Sequence, residues 1–344
     1  MTLYSSGIAP MGTICDLRSD TVTRPCAGMR AAMADAEVGD DCYGEDPTVL
    51  RLEAVLAERM DKAAGLFFPT GCMSNLAALM AQCARGEEVI VGRDYHVYAD
   101  EAASASVLGA LSLVPIPVAE DGGLEPAEIR AALKPEDVHY ARSRLLCLEN
   151  TVGGRAVPLA RMAAAVRTGR EAGLSVHLDG ARFFNAVTAL GCSEAELAGL
   201  ADTVSLCLSK GLGAPAGTVL VGPTPVIAEA RRLRKLLGGG MRQSGVLAAA
   251  GLWALEHQLP RLAEDHARAA HLARALISLG TVRQGTNMVF FTPPVQNRAA
   301  LAARMAGQGV RISDPGEGAI RLVVHRDVDD AALTAAIAAF ESCL

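Results

Sequence analysis

The sequence predicts an α/β protein: a large domain on a mostly parallel sheet, followed by a small α+β domain at the C-terminal end. Three observations carry that expectation. Between about residues 50 and 245, short apolar runs alternate with amphipathic helical stretches. Strand then helix, repeated, is the pattern of parallel strands covered on both faces. After residue 245 the pattern changes to two long Ala- and Leu-rich helical stretches and then to shorter strand-like pieces. Finally, 344 residues with 51% hydrophobic and 20% charged side chains make a globular chain long enough for one large domain and a smaller one.

Taken in order, helices are expected at Pro47 to Met60, Met73 to Arg85, Glu125 to Leu133 and Leu159 to Ala172, where apolar residues recur with helical spacing. Strands are expected at Gly65 to Phe68, Glu88 to Val91, Leu145 to Leu148, Ser175 to Leu178, Thr203 to Leu208 and Thr218 to Val221. Two helical patterns fill Gln243 to Leu279. Strand-like Met288 to Phe291 and Ile320 to Val324 flank a helix near Arg298 to Met305. This places the large domain at 1–245 and the small one at 246–344, with the Gly-rich LLGGGMRQSG near the junction as a hinge or a tight buried turn. No repeat and no low-complexity linker interrupts the chain.

Composition excludes several function classes. Thirty-two Lys and Arg against 38 Asp and Glu give a formal charge of -6, and no run of like charge offers nucleic acid a footprint. No apolar run reaches the 18 or so residues of a membrane span. The N-terminal twenty residues lack the basic and apolar regions of a secretory signal. Nine scattered cysteines without a CxxC pair suit reduced thiols in the cytoplasm better than a disulfide framework or a zinc site.

Four segments carry chemistry. In SLCLSKGLGAPAG, Lys210 ends an apolar strand run among small residues; desolvation there disfavours the ammonium and frees the amine for a Schiff base. By itself it reads more readily as an exposed loop lysine. The glycines around it do not have the dinucleotide-binding spacing. In HLDGAR a strand ends at Asp179, in the usual ligand crevice of an open α/β sheet, where a carboxylate could keep a pyridine nitrogen protonated. Reading His177 and Asp179 as metal ligands needs partners that the neighbouring sequence does not supply, so no metal is expected. In FFPTGCMSN a strand turns into a helix, and the backbone N–H groups of Gly71 and Cys72 with the Thr70 hydroxyl form an anion cup without a Walker lysine. In GRDYHVYADE, His96 follows a strand and could lie against a ring or act as an acid or base.

These segments stand in a set order along the chain, and with DLRSDTVTRP (16–25), GDDCYGEDPTV (39–49), PTGCMSN (69–75), LLCLENT (145–151), HLDGAR (177–182), CLSKGLGAP (207–215) and RKLLGGGMRQ (234–243) the chain resembles the low-specificity L-threonine aldolases. Those are pyridoxal 5'-phosphate (PLP) enzymes of the aspartate aminotransferase fold, fold type I, and the likeness runs from Asp16 to about His325. It implies Lys210 as the Schiff-base lysine, Asp179 at the pyridine nitrogen, His96 stacked on the ring, and Thr70, Gly71 and Cys72 around the phosphate. Ser19, Arg182 and Arg321 become the clamp on the substrate carboxylate. His139 lines the side-chain pocket, and Tyr43, Lys235 and Arg242 lie at or near the site, in part from a neighbouring subunit, which implies a dimer or a homotetramer. The implied reaction is retro-aldol cleavage of L-threonine, L-allo-threonine and related β-hydroxy-α-amino acids to glycine and an aldehyde. His96 or His139 would be the base. Val152 and Gly153 stand where the family often has His-Asn, and Cys72 where Thr is frequent. The first departure makes a bulkier substituent, as in phenylserine, conceivable. Another PLP reaction such as β-elimination or racemisation is the alternative, since Lys and Asp serve them all.

Overall fold

The computed structural model describes residues 15–294, 298–313 and 318–344; the first fourteen residues, where no secretory signal is expected, lie outside them. In chain order, β1 (Cys15–Asp16) is followed by α1 (Ala27–Ala34) and α2 (Pro47–Arg59). Next come β2 (Ala64–Phe68), α3 (Gly71–Gln82), β3 (Glu88–Gly92), α4 (His96–Ala99), α5 (Ser104–Val107) and β4 (Ser112–Ile116). Then follow α6 (Pro126–Ala132), β5 (Ser143–Glu149), α7 (Leu159–Glu171), β6 (Ser175–Gly180), α8 (Phe183–Leu190) and α9 (Glu194–Ala198). After β7 (Thr203–Cys207) and β8 (Thr218–Gly222) stand α10 (Thr224–Leu236), α11 (Gly245–His257) and α12 (Leu262–Leu276). The C-terminal run is β9 (Thr281–Gly285), β10 (Met288–Thr292), α13 (Arg298–Gly307), β11 (Val310–Arg311), β12 (Ile320–Val323) and α14 (Asp330–Cys343). All the expected elements are present, with ends shifted by a few residues. The strand β4 is additional: it carries Pro115 and is partly exposed, which only an edge strand tolerates. The helices α1, α8, α10 and α14 and the strands β1, β9 and β11 are among the other additional elements.

Two compact units divide the chain, Arg24–Ala263 and a smaller one formed by the residues up to Thr23 with Glu264–Leu344. This differs from the division expected at 245. The helix α11 belongs to the larger unit because it is apolar all round and packs into it; a Cβ on Gly251 would stand 2.8 Å from a Leu208 methyl and 3.1 Å from Leu52. The N-terminal residues belong to the smaller unit because β1 pairs with β11. No sequence pattern announces a two-residue strand.

In the larger unit seven strands lie in the order β2-β8-β7-β6-β5-β3-β4. Among the described residues β8 alone runs against its neighbours. The other six strands therefore end at the same edge. The sheet is buried on both faces, as Val89, Ile90 and Val91 of β3 show at 0% exposure each, and each such side chain contributes roughly 1.5–3 kcal/mol. Asp46 caps α2, accepting from the N–H groups of Thr48 and Val49. It also accepts from Gly245 at 2.8 Å, and a Cβ there would meet its carboxylate at 2.4 Å. Any side chain at 245 would break that cap.

The smaller unit holds the antiparallel sheet β12-β10-β9 and the parallel pair of β1 and β11. Its core includes Leu17, Leu272, Phe291, Val310 and Phe340, the two rings meeting edge to face at 5.6 Å.

Candidate active site

Where β2 ends, the chain turns at Pro69 and enters α3, whose Thr70 hydroxyl caps the helix by accepting from Met73 N–H. The amides of Gly71 and Cys72 follow in the first turn, where a helix offers no internal acceptor. Beside them the Thr218 hydroxyl, 1% exposed, has no hydrogen-bond partner, and its oxygen lies 3.6 Å from where a Gly71 Cβ would stand. A buried donor next to a helix N-terminus is what an anionic group would satisfy.

One helical turn further, Asn75 points at the sheet. Its Nδ2 donates to Asp179 Oδ2 at 2.9 Å and to Glu101 Oε1 at 2.8 Å, while its Oδ1 lies 3.2 Å from His177 Nε2. Asp179, 2% exposed near the end of β6, also accepts from Ala181 N–H. His96 opens α4 just beyond β3; its Nδ1 is 2.9 Å from Glu101 Oε1, and its backbone N–H donates to Glu149 at the end of β5. The Glu101 hydrogen bond, together with the Asp179 charge, holds the half-buried His96 imidazole above its ordinary pKa despite the cost of burial. Burial raises Glu101, with Asp179 adding to it, and burial and Asp179 push Glu149 up to about 8. The Cys72 thiol, pushed up to about 11 by burial and by these carboxylates, stays protonated at neutral pH.

Lys210 lies in the turn after β7, where its backbone C=O accepts from Gly213 N–H, and its ammonium acts electrostatically on Cys72, His96 and Glu149. The chain has four lysines, at 62, 134, 210 and 235. Lys62 donates to the Ala201 carbonyl and Lys134 pairs with Glu88, both at the amino edge of the sheet; Lys235 is exposed on α10. Lys210 is thus the lysine that the fold brings to the carboxyl edge. An anion cup, an amine, a buried carboxylate and an imidazole suit PLP, the cofactor that the resemblance implies. The match is in donor chemistry.

The structure distributes the remaining expected residues differently. Half-buried Arg182 follows Asp179 by three residues at the N-terminus of α8. His139 does not reach this edge: it precedes β5 at the amino end, its side chain is 81% exposed, and its Nδ1 lies 2.6 Å from Asp137. The physical reason is strand length, since the seven residues of β5 separate it from Glu149 by roughly 20 Å. Tyr43 is 77% exposed, Lys235 is exposed, and Arg242 is exposed and pairs with Asp40 at 3.4 Å. In the smaller unit Ser19 caps a short 3₁₀ turn, accepting from Thr21 N–H, and Arg321 is exposed on β12 opposite Phe290. Val152 is 2% exposed and packs on Gly122 in the core.

Sequence reasoning passed over Asn75, Glu101 and Glu149. Asn75 had a signal, since it sits in the anion-cup segment one turn into the helix. Glu101, an acid in a polar loop, had none. No metal was expected, yet Cys72, His96 and Glu101 bring ligand-type atoms within 4.8 Å of one another. Two of the three are already bonded to each other. A separate groove of about 680 Å³ is lined by residues such as Arg51, Trp253 and Glu256 of α2 and α11, none of them part of this cluster. No helix among the described residues is long and apolar enough to cross a membrane.

Residues 16–293 match the beta-eliminating lyase family. The chain is 48% identical over 315 residues to the low specificity L-threonine aldolase of Escherichia coli K12, covering 91% of this chain and 94% of that protein. It is 40% identical over 343 residues to low-specificity L-threonine aldolase 1 of Arabidopsis thaliana, covering 96% of each. The solved structure of Leishmania major threonine aldolase superposes with a TM-score of 0.79 at 22% identity, covering 96% of this chain and 98% of that one, a likeness of fold.

Proposed function

The chain belongs to the beta-eliminating lyase family, among the low-specificity L-threonine aldolases, and from that premise we propose that it cleaves L-threonine, L-allo-threonine and related β-hydroxy-α-amino acids to glycine and an aldehyde with the help of PLP. The observation that carries this reading is the meeting of the α3 N-terminus, His96, Asp179 and Lys210 at one sheet edge. Thr70, Gly71, Cys72 and Thr218 would hold the phosphate, Asp179 the ring nitrogen, His96 a ring face and Lys210 the aldehyde carbon. When bound, PLP supplies an electron sink for the carbanion left at the α-carbon.

The protein side of the reaction is orientation and proton transfer. Arg182 binds the substrate carboxylate through its guanidinium fork, with Ser19 and Arg321 given the same role by the family pattern. His96, its Nδ1 engaged by Glu101, takes the β-hydroxyl proton at Nε2, a step worth roughly 10²- to 10⁴-fold in rate. As His139, Tyr43, Lys235 and Arg242 are all exposed, we assign them to the site of a neighbouring copy in a homotetramer, where His139 meets the substrate side chain. Nine free cysteines support a cytoplasmic protein.

Supplying the purified protein with PLP and each of threonine, allo-threonine and phenylserine, then quantifying aldehyde, glycine and ammonia, tests the proposal. Stoichiometric aldehyde and glycine are expected. Ammonia with a keto acid would replace the aldol reading by β-elimination.

A further inference from the structure

Behind the cup, six polar groups form one hydrogen-bonded line in the larger unit: Gln82, Thr203, His177, Asn75, Glu101 and His96. Every proton on it can be placed by elimination. Asn75 faces two carboxylate oxygens on one side, Glu101 Oε1 and Asp179 Oδ2, so that side must be its NH₂ group; an amide oxygen there would be set against two acceptors. Its Oδ1 therefore faces His177, whose Nε2 must carry a hydrogen. His177 is 0% exposed, and burial pushes it down to about 4, so it is neutral and its Nδ1 is an acceptor. The Thr203 hydroxyl donates to that Nδ1 while accepting from Gln82 Nε2. At the other end, Glu101 Oε1 accepts from Asn75 and faces His96 Nδ1, which must be the protonated nitrogen of that ring.

We propose that Glu101 is a positioning residue that fixes His96 in the Nδ1–H form, leaving Nε2 as the basic atom, and that Asn75, locked by His177, joins Glu101 to Asp179 so that the base and the ring-nitrogen partner form one unit. The assignment rests on the reading of this edge as a PLP site. It extends that reading to residues with no contact to substrate, and the pattern has a chemical logic. Two carboxylates on one amide would repel each other if the NH₂ group did not satisfy both, and only a neutral His177 protonated on Nε2 prevents that amide from turning over. The charged and titratable groups facing His96 are Glu101, Glu149, Asp179, Lys210 and Cys72. Of these, Glu101 contacts its ring nitrogen.

The test uses the PLP-loaded enzyme and Glu101→Gln, which keeps the shape and removes the charge. The variant should keep KM and PLP affinity within about twofold and lose kcat by about 10²-fold. Its acidic kcat limb should move to lower pH, because the carboxylate charge that helps to raise His96 is gone; a purely structural role would leave that limb in place. ¹⁵N-histidine NMR of the loaded wild type, with the His96 signal identified by its loss in His96→Gln, should report the Nδ1–H tautomer. That measurement judges the proposal even if Glu101→Gln fails to fold or the aldol reading fails. An Nε2–H tautomer in the wild type would overturn it, as would an unmoved pH limb with undiminished kcat in Glu101→Gln.

Discussion

At the carboxyl edge of the sheet, buried Asp179 and Glu101 are held by a neutral amide, Asn75, with His177 behind it. Around β2, in the same unit, buried Asp41 and Glu53 are held by guanidinium groups: Arg234 reaches Asp41 at 2.7 Å and the Phe67 carbonyl at 2.6 Å, and Arg231 reaches Glu53 at 3.0 Å. The residue types are alike, but the charge balance differs. Around β2 each carboxylate has a fixed cation, so its charge is spent in tying the 39–49 segment and α10 to the strand. At the carboxyl edge the neutral partners orient the carboxylates without cancelling them, and their field acts on His96 and remains available to a cationic ligand. A buried charge with a permanent counter-ion is structural, whereas one held by neutral donors waits for a partner.

Altering each network in turn should separate these roles. Lys210→Ala should abolish aldehyde release and the visible absorbance of bound cofactor, since the other three lysines sit elsewhere in the fold. Turnover by that variant would remove the edge cluster from the chemistry. Arg234→Met leaves Asp41, 4% exposed, facing the loss of its buried counter-ion. It should cost roughly 3–5 kcal/mol in denaturant unfolding, with kcat per folded molecule near the wild-type value. A loss below about 1 kcal/mol would put this pair among surface ion pairs.

His177 gives a pH-dependent test. As pH falls, the unfolded chain takes up a proton there near 6.5, whereas the folded protein resists until about 4. The stability gained by keeping His177 neutral is therefore complete above pH 6.5 and is lost as the pH falls between those values, by about 3 kcal/mol in all. Denaturant midpoints should fall more steeply over that range in the wild type than in His177→Gln, and equal slopes would contradict the neutral assignment. Smaller still, Arg182→Ala and Arg321→Ala should each raise KM by roughly 10- to 100-fold, the loss of a charge-assisted contact worth about 1.5–3 kcal/mol. An unchanged KM in both would place the carboxylate clamp elsewhere.

The parallel sheet was legible because strands buried on both faces must be apolar runs, as VIV at 89–91 shows. The places of Thr70, Asp179 and Lys210 at element ends on one sheet edge were legible because a cap, an acid and a lysine break an apolar pattern where strands end. Glu101 was not: its role depends on α3 bringing Asn75 over β6, a contact across 26 residues of sequence. That His139 stands at the amino end of β5, away from its own chain's edge cluster, was not legible, because a histidine near a strand carries no sign of which end of the strand it faces. The two-residue β1 escaped for want of any periodicity in so short a strand.

Reduction of the PLP-loaded enzyme with borohydride, followed by peptide mass mapping, tests the central claim most directly. The carboxyl-edge cluster predicts the cofactor's mass on the peptide that contains Lys210 and on no other lysine peptide. Its attachment at Lys62, Lys134 or Lys235, or the recovery of an unmodified Lys210 peptide from fully loaded protein, would contradict it.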